Sequence, residues 1–269
     1  MRWPTNGSAE GTGASPRGFQ PFLQTVPAQH DRRATARRRT WSPGLCRRRG
    51  LGQTVGMRPV RLPHPAHAGT LACTALLLFA VAAIAVQAAR PEYDWWLAPL
   101  SFYLSGPHSG WLQLAYVGLG LATTVLGLGL RASLVPAARF QLVPLLLGAG
   151  GIALVVTAAW PGPSPGRPVS GGEVLIHGLA AMTAFLCVGT AMLLQSSVLH
   201  RDAHWRPLAW PLLALAAIAF AGLWLHALWR ELPRGASQKA VIALYLLWLG
   251  AVALRLRTVP RAASVHSRH

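Results

Sequence analysis

Six stretches of about twenty apolar residues, none with an ion in its middle, constrain this chain more than any other feature it carries. They run roughly over 70–89, 111–130, 141–160, 174–194, 208–228 and 238–255, all after Met57. About twenty helical residues at ~1.5 Å each cross a ~30 Å hydrocarbon layer, and an ion at its centre costs ~2.5 kcal/mol or more. A segment surrounded by lipid must satisfy its own backbone N–H and C=O groups, so each stretch predicts a helix. The short alternating strands of an outer-membrane barrel are missing from the pattern. A soluble domain does not fit either, because 12% charged residues is about half the usual share. Cys46, Cys73 and Cys187 stand too far apart in sequence for a CxxC metal clip, and an odd count makes no closed disulfide framework. The predicted fold class is all-α, an integral membrane bundle of six transmembrane helices behind a disordered basic N-terminal tail.

Cations set the direction. With the residues before the first span on the inside, inner segments of the body hold ten cations, among them Arg58, Arg61, Arg131, Arg139, Arg201, Arg206, Arg255 and Arg257. Outer loops hold five, Arg90, Arg167, Arg230, Arg234 and Lys239. That bias predicts both termini in the cytoplasm. Tryptophans fit the same frame, with Trp95, Trp96, Trp111, Trp160 and Trp229 near one interface, Trp205 and Trp210 near the other, and Trp248 packing inside the last span. Ala83-Ile84-Ala85 offers a signal-peptide cleavage pattern, but the first apolar run exceeds the 7 to 15 residues of a signal core, so a retained helix is favoured. Twenty-four arginines against one lysine, with abundant Ala, Gly and Pro, point to a GC-rich bacterial genome and hence to a bacterial inner (plasma) membrane.

Residues 1–56 carry ten arginines and two acids with neither helical nor strand periodicity, which predicts disordered polypeptide. Two readings stay open there: attraction to anionic lipid, or an over-extended reading frame with Met57 as the start. No nucleic-acid partner is expected. The expected layout is a tail over 1–56, a membrane domain over 57–256 and a basic cytoplasmic stretch over 257–269.

Because the middles of the spans hold no ions, chemistry is expected at the outer loops and the helix ends they join. The candidates are Asp94, Ser101, Ser105, His108, Glu173, His177, His226, Arg230 and Glu231. Glu173 and His177 share a helix face by their four-residue spacing, and His226 and Arg230 are expected to do the same. As a metal site, His177, His226 and Asp94 or Glu173 resemble a catalytic-zinc ligand set with a bound water, without any HExxH motif. As a haem site, His177 and His226 would ligate from facing helices. As plain interfacial residues, Glu173, His177, His226 and Arg230 would snorkel and pair with one another. No cofactor is expected outside the metal reading. Thr123, Thr124, Thr157, Thr183 and Thr190 are expected to return hydrogen bonds to their own helices. Glycines 118, 120, 127 and 129 of the second span, and 148, 150 and 151 of the third, are expected to allow close helix approach. Pro144 and Pro211 are placed in the first turns of their helices.

Several short motifs carry a resemblance. Tyr93-Asp94, Ala98-Pro99-Leu100-Ser101 and Leu104-Ser105 in the first outer loop, then Gly110-Trp111-Leu112-Gln113, Trp160-Pro161-Gly162-Pro163, and Gly172 to Gly178 together resemble a membrane family called domain of unknown function 998. The resemblance covers roughly 68–256. It implies several spans and directs attention to Asp94, Ser101, Ser105 and His177. Where the family often carries an acid after the aromatic-Pro pair, this chain has Gly162-Pro163-Ser164.

The expected function is a multi-pass inner-membrane protein that binds a lipid headgroup or small solute at an outward-facing polar cluster, with His177, Glu173, His226 and Arg230 as binding residues. The alternative is a metal-dependent lipid hydrolase at the outer leaflet, with His177 and His226 as ligands, Asp94 as ligand or base and Ser101 orienting substrate. Transport is disfavoured by the lack of intramembrane ions and broken helices.

Overall fold

The computed structural model describes residues 64–259. The arginine-rich tail, the alternative start at Met57 and most of the C-terminal stretch lie outside the described residues.

The apolar stretches become six helices: α1 (Pro65–Ala88), α2 (Ser109–Ser133), α3 (Val143–Ala159), α4 (Gly171–Val198), α5 (Arg206–Leu228) and α6 (Arg234–Arg257). Short 3₁₀ turns occupy Leu100–Leu104, Pro136–Ala138 and Leu199–Arg201. Five of the six helices are long and apolar enough to cross a membrane, while α3 has 17 residues. Prolines explain the shortfall. Pro144 sits in the first turn of α3, and Pro161 forces Trp160 out of helical conformation at φ −117°, ψ 81°.

Each helix packs against its neighbours in the chain, and α1 packs against α6, which closes the bundle into a ring. Backbones touch where glycine allows it. A side chain at Gly120 of α2 would collide with the carbonyl of Gly151 in α3, and one at Gly151 would collide with Gly120. One at Gly150 would meet Val188 of α4 at 2.6 Å. Not every expected seam glycine takes part: Gly118 has open space beside it, and Gly148 meets only a Thr124 methyl at 4.0 Å. The hydroxyls of Thr123, Thr124 and Thr157 donate to the carbonyls of Leu119, Gly120 and Ala153 in their own helices. Trp248 is fully buried, and its indole N–H donates to Ser196 Oγ at 3.0 Å. Pro211 lies inside α5 rather than in its first turn, because the helix starts at Arg206.

Outward faces are oily. Leu145 is 69% exposed and Leu228 75%, an arrangement that suits lipid and would be a liability in water. Inward, the buried apolar residues form two clusters. One gathers Leu126, Leu130, Leu147, Met192, Trp205, Val188 and Trp248, the other Phe79, Tyr103, Leu104, Leu112, Tyr116 and Leu119.

Candidate functional site

The two ends of the bundle are built differently. At one end, the connections 89–108, 160–170 and 229–233 meet the first turns of α2, α4 and α6. Hydrogen bonds tie them together: Leu100 N–H donates to Gln238 Oε1 at 2.8 Å, and the hydroxyls of Ser105 and Ser164 lie 2.7 Å apart. Lys239 Nζ reaches back to the Trp95 carbonyl at 2.6 Å and sits 4.6 Å from the centre of the Trp95 ring. Gly235 packs so closely on Ala98 that a Cβ there would lie 2.5 Å from its carbonyl oxygen. The start of α6 is therefore a latch on the first loop.

Within that loop Arg90 is buried. Its Nη1 donates to the Ser105 carbonyl at 2.7 Å, its Nε pairs with Glu92 at 2.5 Å, and its guanidinium stacks 4.5 Å from the Tyr93 ring centre. The hydrogen bond from Arg90 holds the Glu92 carboxyl below the usual glutamate range. Gly106 takes φ +83° beside this guanidinium, where a Cβ would lie 3.0 Å from Nη1. The third loop has its own clamp. Arg167 donates to the Pro161 carbonyl at 2.8 Å and to Glu173 Oε1 at 2.5 Å. Ser170 caps α4 by accepting the Glu173 N–H at 3.2 Å.

Beneath these loops, at the junction of the two core clusters, lies a cavity of about 80 Å³. Ser101, His177 and Gln238 line it from the 3₁₀ turn and the second turns of α4 and α6, and Tyr116 and Thr157 lie in the neighbouring turns of α2 and α3. Phe79, Leu119, Leu154, Phe185, Ile242 and Leu249 supply its apolar walls. His177 is buried, and its Nδ1 lies 2.9 Å from the Trp160 carbonyl. A carbonyl only accepts, so Nδ1 carries the proton, and in the uncharged tautomer Nε2 is an acceptor. The imidazole is pressed against Gly162, where a Cβ would come within 2.6 Å of the ring.

The sequence candidates are thus divided among several places. Ser101 and His177 share the cavity. Ser105 is buried in the loop network and Glu173 belongs to the Arg167 clamp. Asp94 is exposed and its carboxylate accepts the Trp96 N–H at 2.7 Å, a turn within its own loop. His226 Nδ1 meets Ser237 Oγ at 2.8 Å, on the contact between α5 and α6. Arg230 does not share a helix face with His226, since α5 stops at Leu228 and Trp229 is extended. It lies exposed in a shallow depression with Trp224, Leu228, Trp229 and Glu231. Nor do Glu173, His177, His226 and Arg230 pair with one another: Glu173 pairs with Arg167, His177 with Trp160 and His226 with Ser237. Among the described residues, no three His, Cys, Asp or Glu side chains gather in a group that could hold a metal ion. His177, His226 and Asp94 are not brought together as such a set.

Sequence reasoning passed over Gln238, Tyr116, Arg90 and Lys239. Only Gln238 left a signal, as an amide in the second turn of a helix, a position that Gln113 shares in α2.

Among the described residues the fold is an all-helical bundle with a loop-capped cavity and five helices long and apolar enough to cross a membrane. The family model described as protein of unknown function (DUF998) matches residues 73–255, more than half of the sequence. The chain therefore belongs to that family. No curated protein and no solved structure matches it significantly.

Proposed function

We propose that the protein is a six-span bacterial inner-membrane binding protein that takes a small solute or part of a lipid into the cavity beneath its loops. The observation that carries this reading is the cavity itself, which joins polar groups at the loop end to apolar walls in the bundle. Ligand sites are mostly apolar concavities with a few placed polar groups. Ser101, His177 and Gln238 are the binding residues in this reading. Arg90, Glu173 and Lys239 act at one remove by holding the loops over them.

Cation placement supports an orientation with both ends in the cytoplasm. Arg131, Arg139, Arg201, Arg206, Arg255 and Arg257 all fall at the end opposite the cavity, and the only ion pairs among the described residues are Arg90–Glu92 and Arg167–Glu173, at the loop end. Six arginines without a carboxylate partner favour contact with anionic lipid on that side.

The test is native mass spectrometry of the protein extracted from its own membranes, beside the variant Ala181→Phe, which places a ring at Ala181 of α4 in the cavity wall. The wild type should carry a discrete bound mass that the variant lacks. Equal adducts on both proteins, or none on either after incubation with a total lipid extract, overturn the proposal.

A further inference from the structure

The cavity wall specifies more than binding as such, and the class of ligand it specifies stands only if the proposed binding role does. Among the described residues, no carboxylate, guanidinium or ammonium lines the cavity. The two ion pairs nearby, Arg90–Glu92 and Arg167–Glu173, are closed on themselves. An ionised headgroup placed here would lose its water without gaining a counter-charge, a penalty of several kcal/mol per ion. Phospholipid phosphates, fatty-acid carboxylates and ammonium groups are disfavoured on that ground.

The polar atoms that remain narrow the class again. Gln238 Oε1 is engaged by the Leu100 N–H, which leaves its amide N–H₂ as a donor toward a ligand. The Trp160 carbonyl holds the Nδ1 proton of His177, so Nε2 of the uncharged ring is an acceptor. The hydroxyls of Ser101 and Tyr116 both donate and accept, and that of Tyr245 donates to the Phe185 carbonyl at 2.9 Å. Thr123 and Thr157 hydroxyls are directed to their own helices. A carbonyl group serves only the donors, whereas a hydroxyl serves the donors and the Nε2 acceptor alike. Size sets the other bound: a single water needs roughly 10–15 Å³, so about 80 Å³ takes a hydroxyl and the first carbons of a chain against Phe79, Leu154 and Phe185. We infer that the ligand is an uncharged aliphatic molecule ending in a hydroxyl, either a free alcohol or the glycerol end of a neutral monoacyl lipid.

The experiment uses the full chain in phosphatidylcholine nanodiscs with a decanol that carries a photoreactive diazirine, followed by peptide mapping. Labelling should fall on the α4 and α6 segments around Ala184 and Ile242, and decanol or 1-decanoylglycerol should displace it. The better competitor of the two identifies the source. Ala181→Phe should cut labelling about tenfold, equivalent to ~1.4 kcal/mol. Ser101→Ala, a change in a half-exposed turn that leaves the bundle intact, should weaken competition about fivefold, the loss of roughly one hydrogen bond. If decanoate at pH 8 competes as well as decanol, the inference about charge is wrong and the binding role stands. If no competitor displaces the label and Ala181→Phe leaves it unchanged, both fall.

Discussion

The two ends of this bundle meet the same problem, how to close the mouth of a ring of helices, in opposite ways. At the end formed by the 134–142 and 199–205 turns, a single buried carboxylate does the closing. Asp202 is 4% exposed, and its two oxygens accept the N–H groups of Val135 and His204, each at 2.9 Å. Gln195 donates to the Ala138 carbonyl at 2.8 Å, and Leu134, Ala138, Leu199 and Trp205 are buried around them. At the other end two of the three loops are longer, and all are held by pins within the loop layer, Arg90, Arg167 and Lys239, while polar atoms nearer the axis keep hydrogen-bonding capacity. A terminus closed by a buried carboxylate that ties its two turns together, with the Trp205 indole N–H buried beside it without a partner among the described residues, is a structural seal. One that keeps donors and acceptors above an apolar hollow is suited to a ligand.

Removing the seal should produce the largest effect. Asp202→Ala removes the acceptor of two part-buried backbone N–H groups, at ~1 kcal/mol or more each, so thermal unfolding in detergent should shift downward. Asp202→Asn, whose amide oxygen can serve one of the two, should fall between. An alanine variant that melts with the wild type would show that the turns close without the carboxylate and would erase the contrast drawn between the ends. Next comes the latch at the open end. Lys239→Met keeps the aliphatic stem while removing the hydrogen bond to the Trp95 carbonyl and the cation over the Trp95 ring, ~1 kcal/mol in all. Its signature is local: faster hydrogen exchange and proteolysis across 92–104 with little change at 134–142. Equal loosening of both ends would break the comparison.

How much of this is legible in the sequence depends on how far apart the partners lie. Helix positions follow from apolar runs, and even the stop of α3 is written in Pro161 and the cap of α4 in Ser170 and Glu173, three residues apart. Pairings across the bundle leave no such trace. Asp202 stands as a lone acid in a short polar turn and reads as solvated, yet its partner Val135 is 67 residues away. Lys239 looks like one more outer cation, and the carbonyl it holds is 144 residues away. His177 stands out by its place near a helix start, but the cavity beside it exists because two apolar clusters meet imperfectly, a property of packing volumes that no spacing rule contains. His226 and Arg230 mislead for a related reason: four-residue spacing implies a shared face only while the helix continues, and α5 ends between them.

The smallest effect sharpens the comparison through pH. Glu92 is 53% exposed in its side chain and pairs with buried Arg90, and that hydrogen bond holds its carboxyl below the glutamate range. A carboxyl depressed in the folded state contributes stability that is present above the unfolded value, ~4.3, and is lost as pH falls through the folded one. Melting curves for wild type and Glu92→Gln should therefore run in parallel but separated from pH 7 down to about 5, then converge as acid protonates the wild-type carboxyl. The change should appear first in exchange at 90–106, where Arg90 also grips the Ser105 carbonyl, and should leave the Asp202 turns untouched. Curves that stay equally far apart into acid would mean that charge on Glu92 adds nothing to the hold of Arg90, leaving the buried guanidinium anchored by the Ser105 carbonyl and the Tyr93 ring alone.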